Sequence, residues 1–190
     1  MKSHKMTQLH SDAPLGPLYI VTERFDASRG EEWAGYLRWS GLTQLREVIS
    51  LDSMLCEPVV DGRTDEDWSH IVNENFMLDF FTDLPYLLQR VESLKDRNLL
   101  CVFRNPPSPP TAPAGFDLIG YDLVDVLGTV SALVNCGGYP DAFANDELSI
   151  YGLIPSHERA FQIQRNLREK YPNGEHSNCH VFAVFRKNDA

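Results

Sequence analysis

Cys136 is the residue that its sequence places best for nucleophilic chemistry. It lies in Asn135-Cys136-Gly137-Gly138-Tyr139, where glycines would let backbone N–H groups approach a developing oxyanion and a thiolate would attack. His176 or His180 would be the base. The same histidines with Cys179 spell His-x-x-Cys-His, which together with Cys136 offers four side chains of zinc-ligand type. Two considerations weigh against both chemistries. Cys179 and His180 fall on a predicted strand, so their side chains point to opposite faces. A Gly-Gly pair after an apolar run is also ordinary turn composition, and acidic surroundings raise a thiol's pKa. A turn or core thiol is therefore expected at Cys136, with no metal site and no cofactor.

Carboxylate pairs are the second candidate. His70 with Glu74, and Asp79 with Asp83, are spaced i, i+4, which on one helical face could hold a divalent cation or share a proton. A solvated acidic stripe opposite an apolar face explains the same spacing. The phosphate-cradling, dinucleotide-binding, nucleophile-elbow and His-Glu-x-x-His motifs are all absent, as is any Cys-x-x-Cys. The reading therefore leans away from an enzyme and toward a binding protein. An enzyme with a thiol-based site around Cys136 and His176 or His180 is the alternative, and a generic regulatory interaction module a further one.

The charge supports that order. The chain of 190 residues carries 27 Asp and Glu against 17 Lys and Arg, a formal −10. Nucleic acid and anionic membranes depend on basic clusters, so neither is the expected partner. The acidity is concentrated: residues 52–83 hold a net of −8 and residues 105–158 a net of −7. A clustered acidic surface suits a basic protein partner, with fast and salt-sensitive association. In this profile (small, acidic, without catalytic motifs) the chain is similar to bacterial immunity proteins, which neutralise a cognate toxin domain, although no motif carries the likeness. The expected function is an acidic soluble binding protein of immunity type that masks a basic toxin or nuclease-like partner. Its contact residues would be Asp61, Asp65, Glu66, Asp67, Asp79 and Asp83, with Trp68 as an aromatic anchor.

These residues need elements to position them. The sequence predicts a long helix from Thr64, with Asp65, Glu66 and Asp67 in its first turn and apolar residues from Trp68 to Leu84 on one face. Pro85 would end or kink it, with a resumption through Leu87, Leu88 and Val91. A second main helix is predicted from Ser156 as N-cap to about Tyr171, stopped by Pro172-Asn173-Gly174. Shorter helical signals cover 29–39 and 146–151. Strands are predicted at 18–24, 44–51, 98–103, 116–123 and 179–185. Those at 98–103 and 179–185 are apolar on both alternating faces and should be central. The fold class is α+β: one domain over residues 18–190, with a mixed or antiparallel sheet of about five strands and two main helices.

Residues 1–17 read as a flexible leader. Residues 106–113 hold five of the twelve prolines and read as a stiff extended loop. Arg104, Pro107 and Pro110 also match the Arg-x-x-Pro-x-x-Pro spacing of proline-rich ligands. Four cysteines without an Asn-x-Ser/Thr acceptor, and without a membrane-length apolar run, suit a reduced cytoplasmic setting.

Overall fold

The two strands apolar on both sides, β4 (Arg97–Arg104) and β6 (Cys179–Lys187), lie at the centre of a four-stranded sheet. The order is β1-β4-β6-β5, with β1 at Leu15–Glu23 and β5 at Phe116–Asp125, and every neighbouring pair is antiparallel. The computed structural model describes residues 13–60, 64–72, 79–125, 130–135, 139 and 141–188. β1 thus begins inside the span read as leader.

Each face of the sheet carries an apolar cluster, as strands buried on both sides require. Cys101, Tyr121, Val181, Ala183 and Phe185 serve one face, with Leu18, Ile20, Leu100, Val102, Phe182 and Val184 on the other. Helix α3 (His157–Lys170) packs on β5 and β6 through buried Ala160, Ile163 and Leu167. Ser156 caps it as predicted, its hydroxyl accepting from Arg159 N at 3.3 Å. Helix α1 (Glu31–Ser40) occupies the shorter signal at 29–39 and buries Trp33 and Tyr36 against Phe25. A short β2 (Phe25–Asp26) pairs with β3 (Glu47–Val48). The predicted strand at 44–51 therefore contributes two residues to a separate small sheet. A single 3-10 turn, Asn145–Glu147, stands near the weak helical signal at 146–151.

Neither outer strand leaves its edge open. Tyr19 exchanges two backbone hydrogen bonds with Phe81, and Val21 O accepts from Val59 N. On the far side Tyr121 exchanges two with Ile154, and Leu123 O accepts from Ala132 N. Short crossing segments thus satisfy groups that would otherwise template aggregation. Gly120 makes the second closure feasible: at φ +145° its Cβ would stand 2.7 Å from Leu153 Cβ.

The described residues 64–72 and 79–83 do not form the long helix expected from Thr64. A 3-10 turn covers Asp67–Ser69, after which Ile71 bridges Phe81 and Val72 N donates to Phe80 O. Phe80 enters one core cluster and Phe81 the other. Burial on both sides of the chain is a strand's period, and a run of mixed aromatics reads equally as either. Helix α2 (Leu84–Arg90) starts where the predicted helix was to break, because Pro85 occupies its first turn and Asp83 caps it by accepting from Tyr86 N at 3.0 Å. The proline-ligand spacing is also not presented. Arg104 is 7% exposed on β4, with Nη2 donating to Ala13 O.

Three buried carboxylates hold irregular segments onto the sheet. Glu47 accepts from Arg24 through two bonds of 2.9 Å, from Asn98 Nδ2 at 2.8 Å and from Arg186 Nη1 at 3.2 Å. Asp122 accepts from Ser50 Oγ, Leu51 N, Leu123 N and Ser131 Oγ. Asp52 accepts from Met54 N, Leu55 N, Ser131 N and Asn135 Nδ2.

Two stability measurements check this architecture. Glu47→Ala leaves Arg186 without its carboxylate and Arg24 with Asp26 alone, and should cost about 3 kcal/mol in urea unfolding; a loss below about 1 kcal/mol would remove Glu47 as an anchor. Pro85→Ala should change stability by less than about 1 kcal/mol, as suits a proline in a first turn. A gain near 3 kcal/mol would instead indicate a proline breaking a continuous helix.

A candidate binding surface around Asp67

The acidic residues from Asp65 to Asp67 lie on one tight turn, whose geometry is set by the carboxylate of Asp67. That side chain is 1% exposed. It accepts from Thr64 N at 2.6 Å and from Tyr86 Oη at 2.6 Å, and Arg90 Nε lies 3.1 Å away. Thr64 Oγ1 accepts in return from Asp67 N at 3.3 Å. The reciprocal bonds follow the logic of a capping box but close a single 3-10 turn. Burial pushes the Asp67 carboxyl up; the Tyr86 and Thr64 bonds and the Arg90 charge outweigh it and hold the pKa below the usual range. The bond to Asp67 correspondingly raises the Tyr86 phenol. His70 stacks on the Tyr86 ring at 3.9 Å between centroids.

The turn is therefore tied to α2, which projects Tyr86 and Arg90 four residues apart on one face. Asp65 and Glu66 are left exposed on its outside, and Trp68 stands beside them at 37% exposure. Asp83 is half-buried and committed to capping α2. Asp79 is buried at 9% exposure. Asp61 lies outside the described residues, as do Glu74 and Cys136. Of the expected contact residues, then, Asp65, Glu66 and Trp68 reach the surface together. Asp67 and Asp79 face inward, and among the described residues no continuous helix carries an acidic stripe. Tyr86 and Arg90, which hold Asp67 inward, are not among the expected contact residues, and Thr64 opens a 3-10 turn in place of the expected helix. The i, i+4 spacing of Tyr86 and Arg90 was the available signal, but nothing in the sequence names the carboxylate they meet.

The histidines of the thiol reading are enclosed. His176 is 1% exposed, stands edge-on to Tyr139 at 5.7 Å between centroids, and has no hydrogen-bond partner for either ring nitrogen among the described residues. His180 is 3% exposed, with Nδ1 2.8 Å from Asn105 Nδ2. Cys179 belongs to the core cluster with Val181 and Ala183, and burial pushes its thiol up to about 12. Cys101 is likewise raised to about 12 by burial, and Cys56 is raised too. Buried, protonated thiols of this kind pack as small hydrophobes. Among the described residues no group of three or more His, Cys, Asp or Glu side chains is placed to hold a metal. None of the described helices is long and apolar enough to cross a membrane.

No protein-family model matches the chain, and neither does any curated protein or any solved structure.

His176 gives the fold a pH dependence. Burial lowers its pKa, against the opposing pull of Glu175, Asp125 and Asp52. The unfolded chain binds a proton at this residue near pH 6.5, where the folded chain still resists it. Its contribution is therefore whole above about pH 6.5 and is lost as pH falls toward the folded value. Urea midpoints at pH 7.5 and 5.0 should fall more steeply on acidification in the wild type than in His176→Phe. Equal slopes would show that His176 does not carry the effect.

Proposed function

We propose that the protein is an acidic binding module that engages a basic protein partner through the turn at residues 64–69, in the manner of an immunity-type inhibitor masking a cationic toxin or nuclease-like domain. One observation carries the reading: Asp67 spends its carboxylate inside the molecule, and so fixes Asp65, Glu66 and Trp68 outside it on a preformed turn. Neither Asp65 nor Glu66 forms an ion pair with a described residue. Two carboxylates that pair with no described residue, beside an exposed indole, supply steering charge and an aromatic anchor. Preorganisation removes part of the ordering cost that a mobile acidic loop would carry on binding. The net charge of −10 adds a long-range field of the same sign.

The test begins with capture of a basic protein from source cells by the immobilised chain at low salt. Association is then measured at about 50 and 500 mM NaCl, where screening lengths differ severalfold. Asp65→Lys with Glu66→Lys should slow association roughly tenfold at low salt, and Trp68→Ala should mainly speed dissociation. Co-expression with a toxic partner should rescue growth for the wild type and fail for the charge-reversed variant. Failure to capture any basic protein, or unchanged rates and salt dependence in that variant, would overturn the reading.

A further inference from the structure

The groove between the proline-rich loop and α3 has the composition of a small-ligand site. It encloses about 320 Å³, at the lower end of the volumes that hold organic ligands. Pro106 and Pro107 form one wall; His157, Glu158, Phe161 and Arg165 of α3 form the other. Both walls are locked. The root of the loop is held by Asn105, whose N donates to Val181 O and whose Oδ1 accepts from Val181 N at 3.0 Å. His157 Nε2 lies 2.9 Å from Pro106 O, so that nitrogen carries the proton and donates, tying the start of α3 to the loop.

The arginine in this groove differs from most of the described arginines. Seven described arginines stand within 4.0 Å of a carboxylate. Arg165 and Glu158 both line the groove, yet neither forms an ion pair with the other or with any described residue. Their i, i+7 spacing keeps them apart, since direct helical pairs need a separation of three or four. Seven residues of helix set their Cα atoms about 10 Å apart along the axis. Both side chains are exposed and flexible, so their charged heads can adjust to a ligand whose own ends lie about 7 Å apart, the span of two extended residues. The Phe161 ring, 4.8 Å from His157 between centroids, lies beside Glu158 on the α3 wall. A carboxylate and an aromatic face together favour a cation, while a guanidinium fork favours a carboxylate.

We propose that this groove binds a zwitterionic dipeptide with an apolar side chain. The ammonium would lie at Glu158 and Phe161, the carboxylate at Arg165, and the side chain against Pro106 and Pro107. This site is separate from the turn at residues 64–69 and does not depend on the function proposed for it.

Amide chemical shifts of the full chain would be followed by NMR during titration with alanyl-phenylalanine, its C-terminal amide, its N-acetyl form and free phenylalanine. The dipeptide should shift the amide resonances of Asn105 and of residues 157–165, saturating by about 10 mM. Amidation and acetylation should each weaken binding at least about fivefold, and free phenylalanine, too short to span both charges, should bind more weakly than the dipeptide. Arg165→Gln should weaken the free acid about tenfold and leave the amide unchanged; Glu158→Gln should do the same for the free amine against the acetylated form. Both side chains are exposed, so thermal unfolding should match the wild type and confirm that the variants fold. No shifts by about 10 mM, equal binding of blocked and free forms, or phenylalanine binding as tightly as the dipeptide would overturn the proposal.

Discussion

Carboxylates taken out of water and given hydrogen-bond donors are the constraint on which the rest of this molecule depends. Glu47, Asp52 and Asp122 are almost completely buried, and a buried charge persists only where partners replace its lost hydration. Glu47 takes donors from β4 and β6, whereas the partners of Asp52 and Asp122 come largely from segments with little regular structure: residues 50–55 and 130–135 donate to them through backbone and hydroxyl groups. These segments lack the repetitive backbone bonding of a helix or strand, so their path over the sheet is set by these donors. At Asp122 burial prevails: desolvation, with the nearby Asp52 charge, raises its pKa although the Ser131, Ser50 and Leu51 bonds pull it down. The four donors around it nonetheless define where both segments must cross.

The same economy governs the surface. An acidic chain with 27 carboxylates has more of them than its arginines can neutralise, and many of the arginines are drawn into pairs. What distinguishes a location is then the exception. At the 64–69 turn the exception is a pair of carboxylates kept outside by a third that is held inside. In the groove beside α3 it is an arginine and a glutamate on one helical wall that pair with no described residue. Both are polar features on rigid supports, which is where recognition surfaces gain most from preorganisation.

Much of the architecture was legible because its signals are local. Ser156 as N-cap, the apolar face of α3 and the proline stop after it are all read within one helix. The two-sided apolar runs of β4 and β6 placed both strands at the sheet centre. The segment after Thr64 misled for an equally physical reason. Closely spaced aromatics such as Phe80 and Phe81 satisfy a helical face and a two-sided strand alike, and backbone bridges from Tyr19 and Ile71 to Phe81 decide between them. Pro85 changed its meaning with that decision, from a helix breaker to a helix starter. The candidate site was half legible: Asp65, Glu66 and Trp68 were named, while the inward turn of Asp67 required Tyr86 and Arg90, which come from another element.

By itself, then, the sequence determined an acidic α+β chain with a central pair of hydrophobic strands, one long capped helix and a stiff proline-rich loop. These follow from composition, period and caps, which act over a few residues. Only the tertiary structure decided which carboxylates are ligands of the interior and which are surface. That sorting rests on donors from Arg24, Ser131 and Tyr86, each many residues away from the acid it meets. Charge is a property of the chain, whereas solvation of each charge is a property of the fold.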